Sequence, residues 1–480
     1  MPPRERPTAP EGGVSAGESG RQVVQVREFK GLNGVDQRTA IDDHEFSRLV
    51  NVVKLGRGTL KIVNGPGPTL YTAPGGKTIL RWFGVVLAGT PVLLVFLSDG
   101  SGTQVDANTG ATTSLGGAGT FTTTANHIGV EVWQGTVVLI ADEDKGYLSW
   151  NGAALATVDA GTKCRTVAVF AGRAWLATGR TVVFTAANDY TTFVGGGSFT
   201  MTDGAFVGNI TRLISAFEQL WIVGEGAVNA LSNVQVVAGV VTFSNTNILS
   251  NLGTVFPIAV ANMGRAISLV NGEGVYLLTG VSPQRISGKI DDLIGLGSTS
   301  AASAARATLE SRPALLFTGA SGTAFVYCEN DWFTIEGLSI VQVGSVLNRA
   351  FNPANYQAFA STATRIFPLF TATTGTVWTV QSKLYDLGRM VQSKQSYRFL
   401  LEHSVLPTDA TPCTVIFDGG DGAGLVTASG QIALRGSHRQ ETVAVSITGQ
   451  YVGWTINGTT IPLFLSGWAL DEEPGASWPS

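Results

Sequence analysis

Three groups of side chains in this sequence are of types that do chemistry. Acidic residues crowd at Asp142, Glu143 and Asp144 and again at Asp291 and Asp292, and clustered carboxylates suit general acid–base work or a hard cation. A Gly-x-Ser-x-Gly pattern runs from Gly13 through Ser15 to Gly17, the spacing of a nucleophile elbow. Gly75, Gly76, Lys77 and Thr78 match the second half of a phosphate loop, with Tyr71 where its first glycine belongs.

Context weakens each of these. The elbow works only on a strained strand-to-helix turn in a packed sheet. Residues 1–22 are instead rich in Pro, Gly, Ser, Glu and Arg without an apolar run, which predicts a flexible arm and no secretion signal. Half a phosphate loop cradles nothing, so 75–78 is expected to be a hairpin turn. The two acidic groups are expected as solvated loop charges. Asp418 and Asp421 sit among Gly419, Gly420 and Gly422; the run lacks the other ligands of a calcium loop and is expected as a turn. His44, His127, His403 and His438 are far apart and far from Cys164, Cys328 and Cys413. No metal-ligand spacing results, and the thiols are expected to be free and buried. No catalytic, cofactor-binding or metal-binding residue is assigned; the chain is expected to be no enzyme and to need no cofactor.

The elements that would carry any site are strands. Of 480 residues 60 are Gly, 44% are hydrophobic and only 14% charged, against roughly a quarter charged in ordinary globular chains. With abundant Thr and Val, this fits many short strands joined by tight turns. The apolar stretch 82–97 is interrupted by Gly84, Gly89, Thr90 and Pro91, whereas a spanning helix needs about 20 apolar residues; no membrane span is expected. The net charge of −4 comes without a Lys/Arg cluster, which argues against a sequence-reading nucleic-acid module.

One unit recurs: a short apolar strand, a glycine turn, a second apolar strand. Residues 172–184, 218–228 and 264–277 align almost residue for residue, each reading as a hairpin. Looser copies lie at 92–97, 137–140, 314–317 and 366–370. Seven units about 40 to 50 residues apart predict a β-propeller with four strands per blade. Gly226 and Gly274 are expected at positive φ, and Trp150, Trp332, Trp378 and Tyr385 are expected to pack between neighbouring blades. Beyond residue 390 a different alternation begins, with Tyr397, Phe399 and Leu401, then Val415 and Phe417, then Trp454 and Ile456, suiting an antiparallel sandwich or barrel. The expected fold is all-β, a propeller-like repeat of small antiparallel sheets plus a C-terminal β-sandwich or barrel. Its divisions are an arm (1–22), a platform segment (23–64), the propeller (65–389) and the C-terminal domain (390–480).

The platform segment is the most distinctive. It carries Phe29, Gly31, Leu32, Asn33 and Asp36, then Ile41, Asp42, Asp43 and Phe46, then Leu49, Asn51 and the run from Gly56 to Leu60. This resembles the opening of the packaged-DNA stabilisation and tail nozzle proteins of short-tailed bacteriophages, with its Phe-x-Gly-Leu-Asn, Asp pair and Leu-x-Asn. The resemblance implies a structural virion protein assembled in the host cytoplasm. It would form a homo-oligomeric ring, commonly six-fold, below the head-to-tail adaptor, closing the DNA channel and conducting DNA at ejection without sequence-specific binding. On that reading Gly31, Leu32, Asn33, Asp36, Asp42, Asp43 and Phe46 are candidate assembly residues. The alternatives are a propeller interaction scaffold or surface binder, or a propeller glycosidase or lyase with carboxylates or Arg converging at its axis.

Overall fold

In Arg173–Thr178, five of six residues are buried, so the strand is apolar throughout rather than alternating. The reason lies in where alternate side chains go. Trp175 and Ala177 enter one core with Leu213, Leu220 and Ile222, while Ala174 and Leu176 enter another with Trp133, Leu139 and Tyr147. Successive residues of a strand point to opposite faces, and here each face is covered by a different neighbouring sheet. That is the packing of blades in a propeller.

The computed structural model describes residues 15–16, 22–56, 58–280, 282–295, 302–319, 322–349, 355–372, 376–385, 392–405, 410–420, 425–435, 440–459 and 463–477. These divide into two compact units. One comprises Gly67–Val326 and Gly337–Leu369; the other comprises Met1–Pro66, Tyr327–Glu336 and Phe370–Ser480. The segments 23–64 and 390–480, separate in the reading of the sequence, thus fall in the same unit.

The first unit is a seven-bladed propeller of antiparallel sheets. Its blades open with Ile79–Leu87, Ile128–Trp133, Thr166–Phe170, Ile210–Ala216, Val260–Asn262, Ala304–Leu309 and Gln342–Leu347. Each of these first strands packs beside the first strand of the next blade, and the last returns to the first. The hairpins expected at 173–184, 219–230 and 265–278 supply the second and third strands of blades 3, 4 and 5. All seven sequence units map to separate blades.

Two devices close the ring. At the axis, the Gln342 side chain donates to the Trp82 carbonyl (2.6 Å) and accepts its N–H (3.3 Å). Beside this clasp Gly84 meets the Ser345 carbonyl so closely that no Cβ would fit. At the rim, Tyr71–Thr72 supplies the fourth strand of blade 7, with Ile366 opposite Tyr71. The turn at 75–78 joins that rim strand to blade 1; Gly76 has φ +79° and the Lys77 N–H bonds the Pro74 carbonyl at 3.1 Å. It is a turn, as read, but not a hairpin, because the strands it connects do not pair with each other.

The second unit is a β-sandwich. One sheet runs Gln22–Val26, Leu463–Ser477, Gln392–Val405, Gln440–Gly449, with Thr59–Ile62 beside Leu463–Ser477 and Val52–Leu55 beside Thr59–Ile62. The other includes Phe46–Val50, Trp378–Ser382, Tyr451–Gly458, Ala410–Gly420 and Leu425–Arg435. Phe399 from the first sheet meets Phe417 and Trp454 from the second with ring centroids 5.4 and 5.5 Å apart, and Trp468 of the first meets Trp454 at 5.5 Å. Asp418 does not occupy a turn: it lies in Ala410–Gly420, buried, and binds Arg38 at 2.5 Å. Asp421 and Gly422 lie outside the described residues.

Candidate functional site

The platform segment is woven into the sandwich. Phe46 packs edge-on to Trp454 and Phe29, Leu32 is buried, and Asn33 is fixed inside by bonds from Nδ2 to Asp36 (3.0 Å) and Glu45 (2.8 Å). Gly31 is buried against Asp331, whose carboxylate accepts its N–H at 3.0 Å. Asp36, Asp42 and Asp43 remain exposed. Asp42 pairs with Lys30 at 2.8 Å and Asp43 with Lys383 at 2.6 Å. Of the seven candidate assembly residues, four therefore hold this unit together, and three carboxylates face outward.

Of the acidic groups, Asp144 and Asp292 are exposed as expected, whereas Glu143 and Asp291 are half-buried and Asp142 is fully buried. Buried Asp142 accepts the N–H groups of Thr122, Asp144 and Lys145 at 2.8–3.0 Å; burial raises its pKa against those three donors. Glu143 pairs with Arg165 at 2.8 Å and accepts from Thr178 at 3.0 Å, and His127 lies 3.5 Å from both Glu143 and Asp144. Asp291 is held by Arg285 (2.7 Å) and Ser287 (2.6 Å). Among the described residues no group of three or more His, Cys, Asp or Glu is placed to hold a metal ion. Burial pushes the Cys164 and Cys413 thiols up to about 12, and all three cysteines are buried and outside any disulfide. The aromatic beside a turn at Trp150 packs between blades 1 and 2 and donates to Gln104 at 2.8 Å. Of the elbow pattern, only Ser15 and Ala16 are described, as a short strand paired with 22–23.

Two features were not visible in the sequence pattern. The first is an axial cavity of about 250 Å³, walled by first strands of six blades. Glu131, Arg212 and Arg306 line it among apolar neighbours such as Val85, Val130 and Ile214. Burial pushes Glu131 up, opposed by the Val132 N–H and Arg212, and pushes Arg212 down, opposed by Glu131. Arg81, fully enclosed nearby, is pushed down to about 10 by burial and then by Arg212. The available signal was the arginine at the third residue of three first strands, Arg81, Arg212 and Arg306.

The second is the outer hairpin of blade 4, Ala227–Val237 with Val240–Ser250, where outer strands of blades 1, 2, 3 and 5 have four to six residues. A two-residue turn at Ala238 and Gly239, both at positive φ, fits the strand twist. Phe243 anchors the hairpin on blade 3 against Phe199 (4.8 Å) and Trp175 (6.1 Å). The tip is bare: Val236, Val237 and Val240 are 58%, 52% and 64% exposed. No residue from 227 to 250 is charged.

The fold and these surfaces define an all-β protein built from a propeller and a sandwich. No family model matches the chain, and no curated protein matches it. Among solved structures, the extracellular domain of the one-component system BT4673 of B. thetaiotaomicron aligns at 11% identity and TM-score 0.45 over 79% of this chain; the aligned part is 47% of that domain, so this chain spans about half of it. A chain of the mitotic checkpoint complex aligns at 9% identity and TM-score 0.40, covering 64% of this chain and 92% of the other. BamB from Moraxella catarrhalis aligns at 10% identity and TM-score 0.36, covering 72% and 100%.

Proposed function

We propose that this chain is a non-enzymatic interaction scaffold whose propeller presents a docking hairpin to another polypeptide. The blade-4 hairpin carries the reading. An uncharged tip with three exposed valines costs solubility, and exposed apolar surface of this kind marks contact sites more often than chance. Its base is locked on blade 3 by Phe243, so the tip is presented on a rigid element rather than a loose loop. Val236→Ser with Val240→Ser should leave the melting temperature near that of the parent chain and abolish co-purification of the partner or self-association. An unchanged assembly state in that variant would reject the hairpin as the contact.

A more specific reading places the scaffold in a virion, as a subunit of a nozzle ring at the end of a short phage tail, joined to an adaptor and conducting DNA. The platform resemblance supports it, with exposed Asp36, Asp42 and Asp43 as the part of that segment free to meet another subunit. The weakly acidic charge of −4 suits a conduit that must not grip phosphate. Native mass measurement and imaging of purified protein separate the two readings: the nozzle requires a closed ring, whereas a stable monomer leaves only the general scaffold.

A further inference from the structure

The axial cavity holds arginines whose hydrogen-bonding capacity is only partly used among the described residues. Arg212 enters from blade 4 and Arg306 from blade 6. The Nε of each is buried and has no hydrogen-bond partner among the described residues, and the same holds for Nε of Arg81. Arg81 uses one terminal nitrogen on Asn126 at 2.6 Å. The Arg306 guanidinium carbon lies over the Tyr356 ring, 4.5 Å from its centroid, a cation–π contact that uses none of its N–H donors. Glu131 supplies one negative charge and spends one oxygen on the Val132 N–H at 3.0 Å. In the wall two guanidiniums face one carboxylate, leaving one positive charge uncancelled, and the Arg81 guanidinium enclosed nearby adds a second. Unpaired buried charge is costly, and a guanidinium fork matches an oxyanion.

We propose that the axial cavity binds a small organic oxyanion, a carboxylate or phosphomonoester with a compact apolar body. Arg212 and Arg306 hold its oxygens, while Phe83, Val85, Val130 and Ile214 cover the body. About 250 Å³ admits a single ring with its anionic group and excludes a polymer. The site is independent of the docking hairpin, and either can fail alone.

Calorimetric titration of the full chain at low salt with phenyl phosphate, benzoate and inorganic phosphate tests this. The expected result is saturable one-to-one binding of phenyl phosphate or benzoate, with the better probe telling phosphomonoester from carboxylate. Arg212→Gln and Arg306→Gln should each weaken it at least tenfold. Glu131→Gln should tighten it several-fold, a sign that mere structural damage would not produce. Arg265→Gln, an exposed arginine, should change nothing. If an arginine variant unfolds, Glu131→Gln on its own still decides. No saturable binding of either organic probe, binding indifferent to Glu131→Gln and to whichever arginine variants fold, or inorganic phosphate binding as tightly as phenyl phosphate would overturn the proposal.

Discussion

The Gly31 N–H and the Asp331 carboxylate form a 3.0 Å hydrogen bond across 300 residues of sequence, and the glycine sits so near that a Cβ would come within 2.5 Å of the Asp331 Cβ. Asp331 also pairs with Lys54, so one carboxylate ties two points of the platform segment. Gly31→Ala should overpack this contact and lower stability by about 1–3 kcal/mol. Urea unfolding of Gly31→Ala, Asp331→Ala and the double variant checks it, with a coupling of about 0.5–3 kcal/mol expected for contacting residues. Strict additivity would dissolve the link.

Charge at Asp42 and Asp43 is expected to matter more for association than for folding, with one asymmetry. Lys383, the partner of Asp43, is itself largely buried, at 14% side-chain exposure, whereas Lys30 is 50% exposed. Asp43→Lys therefore faces a held cation and should lower the melting temperature by a few degrees, while Asp42→Asn and Asp43→Asn should fold normally. If the chain forms the ring proposed above, native mass measurement of the Asn pair then reads assembly alone, and loss of that ring would place these carboxylates in its interface.

Gly274 and Gly226 should separate cleanly. Gly274 has φ +148° and a Cβ there would strike Ser287 Oγ; Gly226 lies outside the positive-φ region, with Val207 no nearer than 3.6 Å. The expectation that both need positive φ is thus corrected for Gly226. Gly274→Ala should cost about 1–3 kcal/mol and Gly226→Ala less than about 0.5 kcal/mol, read from paired urea curves.

Glu131 should give stability at the axis a pH dependence. Burial raises its pKa, so the folded state holds the proton more tightly than the unfolded chain. Its stabilising share is present below the ordinary carboxylate pKa and is lost as pH rises through the raised value. Glu131→Gln should melt higher than the parent chain at neutral pH, with the gap closing toward pH 4. A gap that widens on acidification would reverse the assignment.

The propeller was legible because its second and third strands are unbroken apolar runs around glycine turns, as at 173–184 and 265–278. Its first strands were less so, since Arg81, Glu131, Arg212 and Arg306 interrupt the apolar pattern at the places that face the axis. Those four meet only after the ring closes, and no sequence spacing announces that. The platform segment read as a distinct stretch, but its role in the sandwich core did not. Phe46–Val50 pairs with Trp378–Ser382, and alternation within a strand says nothing of a partner so far along the chain. The rim strand Tyr71–Thr72 is too short to show any period.

That rim strand sets an order of events during synthesis. After Tyr71 and Thr72 leave the ribosome, their partner Arg365–Pro368 follows only after roughly 290 further residues, about 15–60 s of translation at common rates. Phe46–Val50 waits still longer for its own partner. Throughout that interval the nascent chain carries completed inner blades and open edges, the state most prone to mispairing with its neighbours on a polysome. The strand Arg365–Pro368 therefore acts as the latch for Tyr71–Thr72, and a premature stop before residue 365 leaves an unclosed ring rather than a shorter propeller.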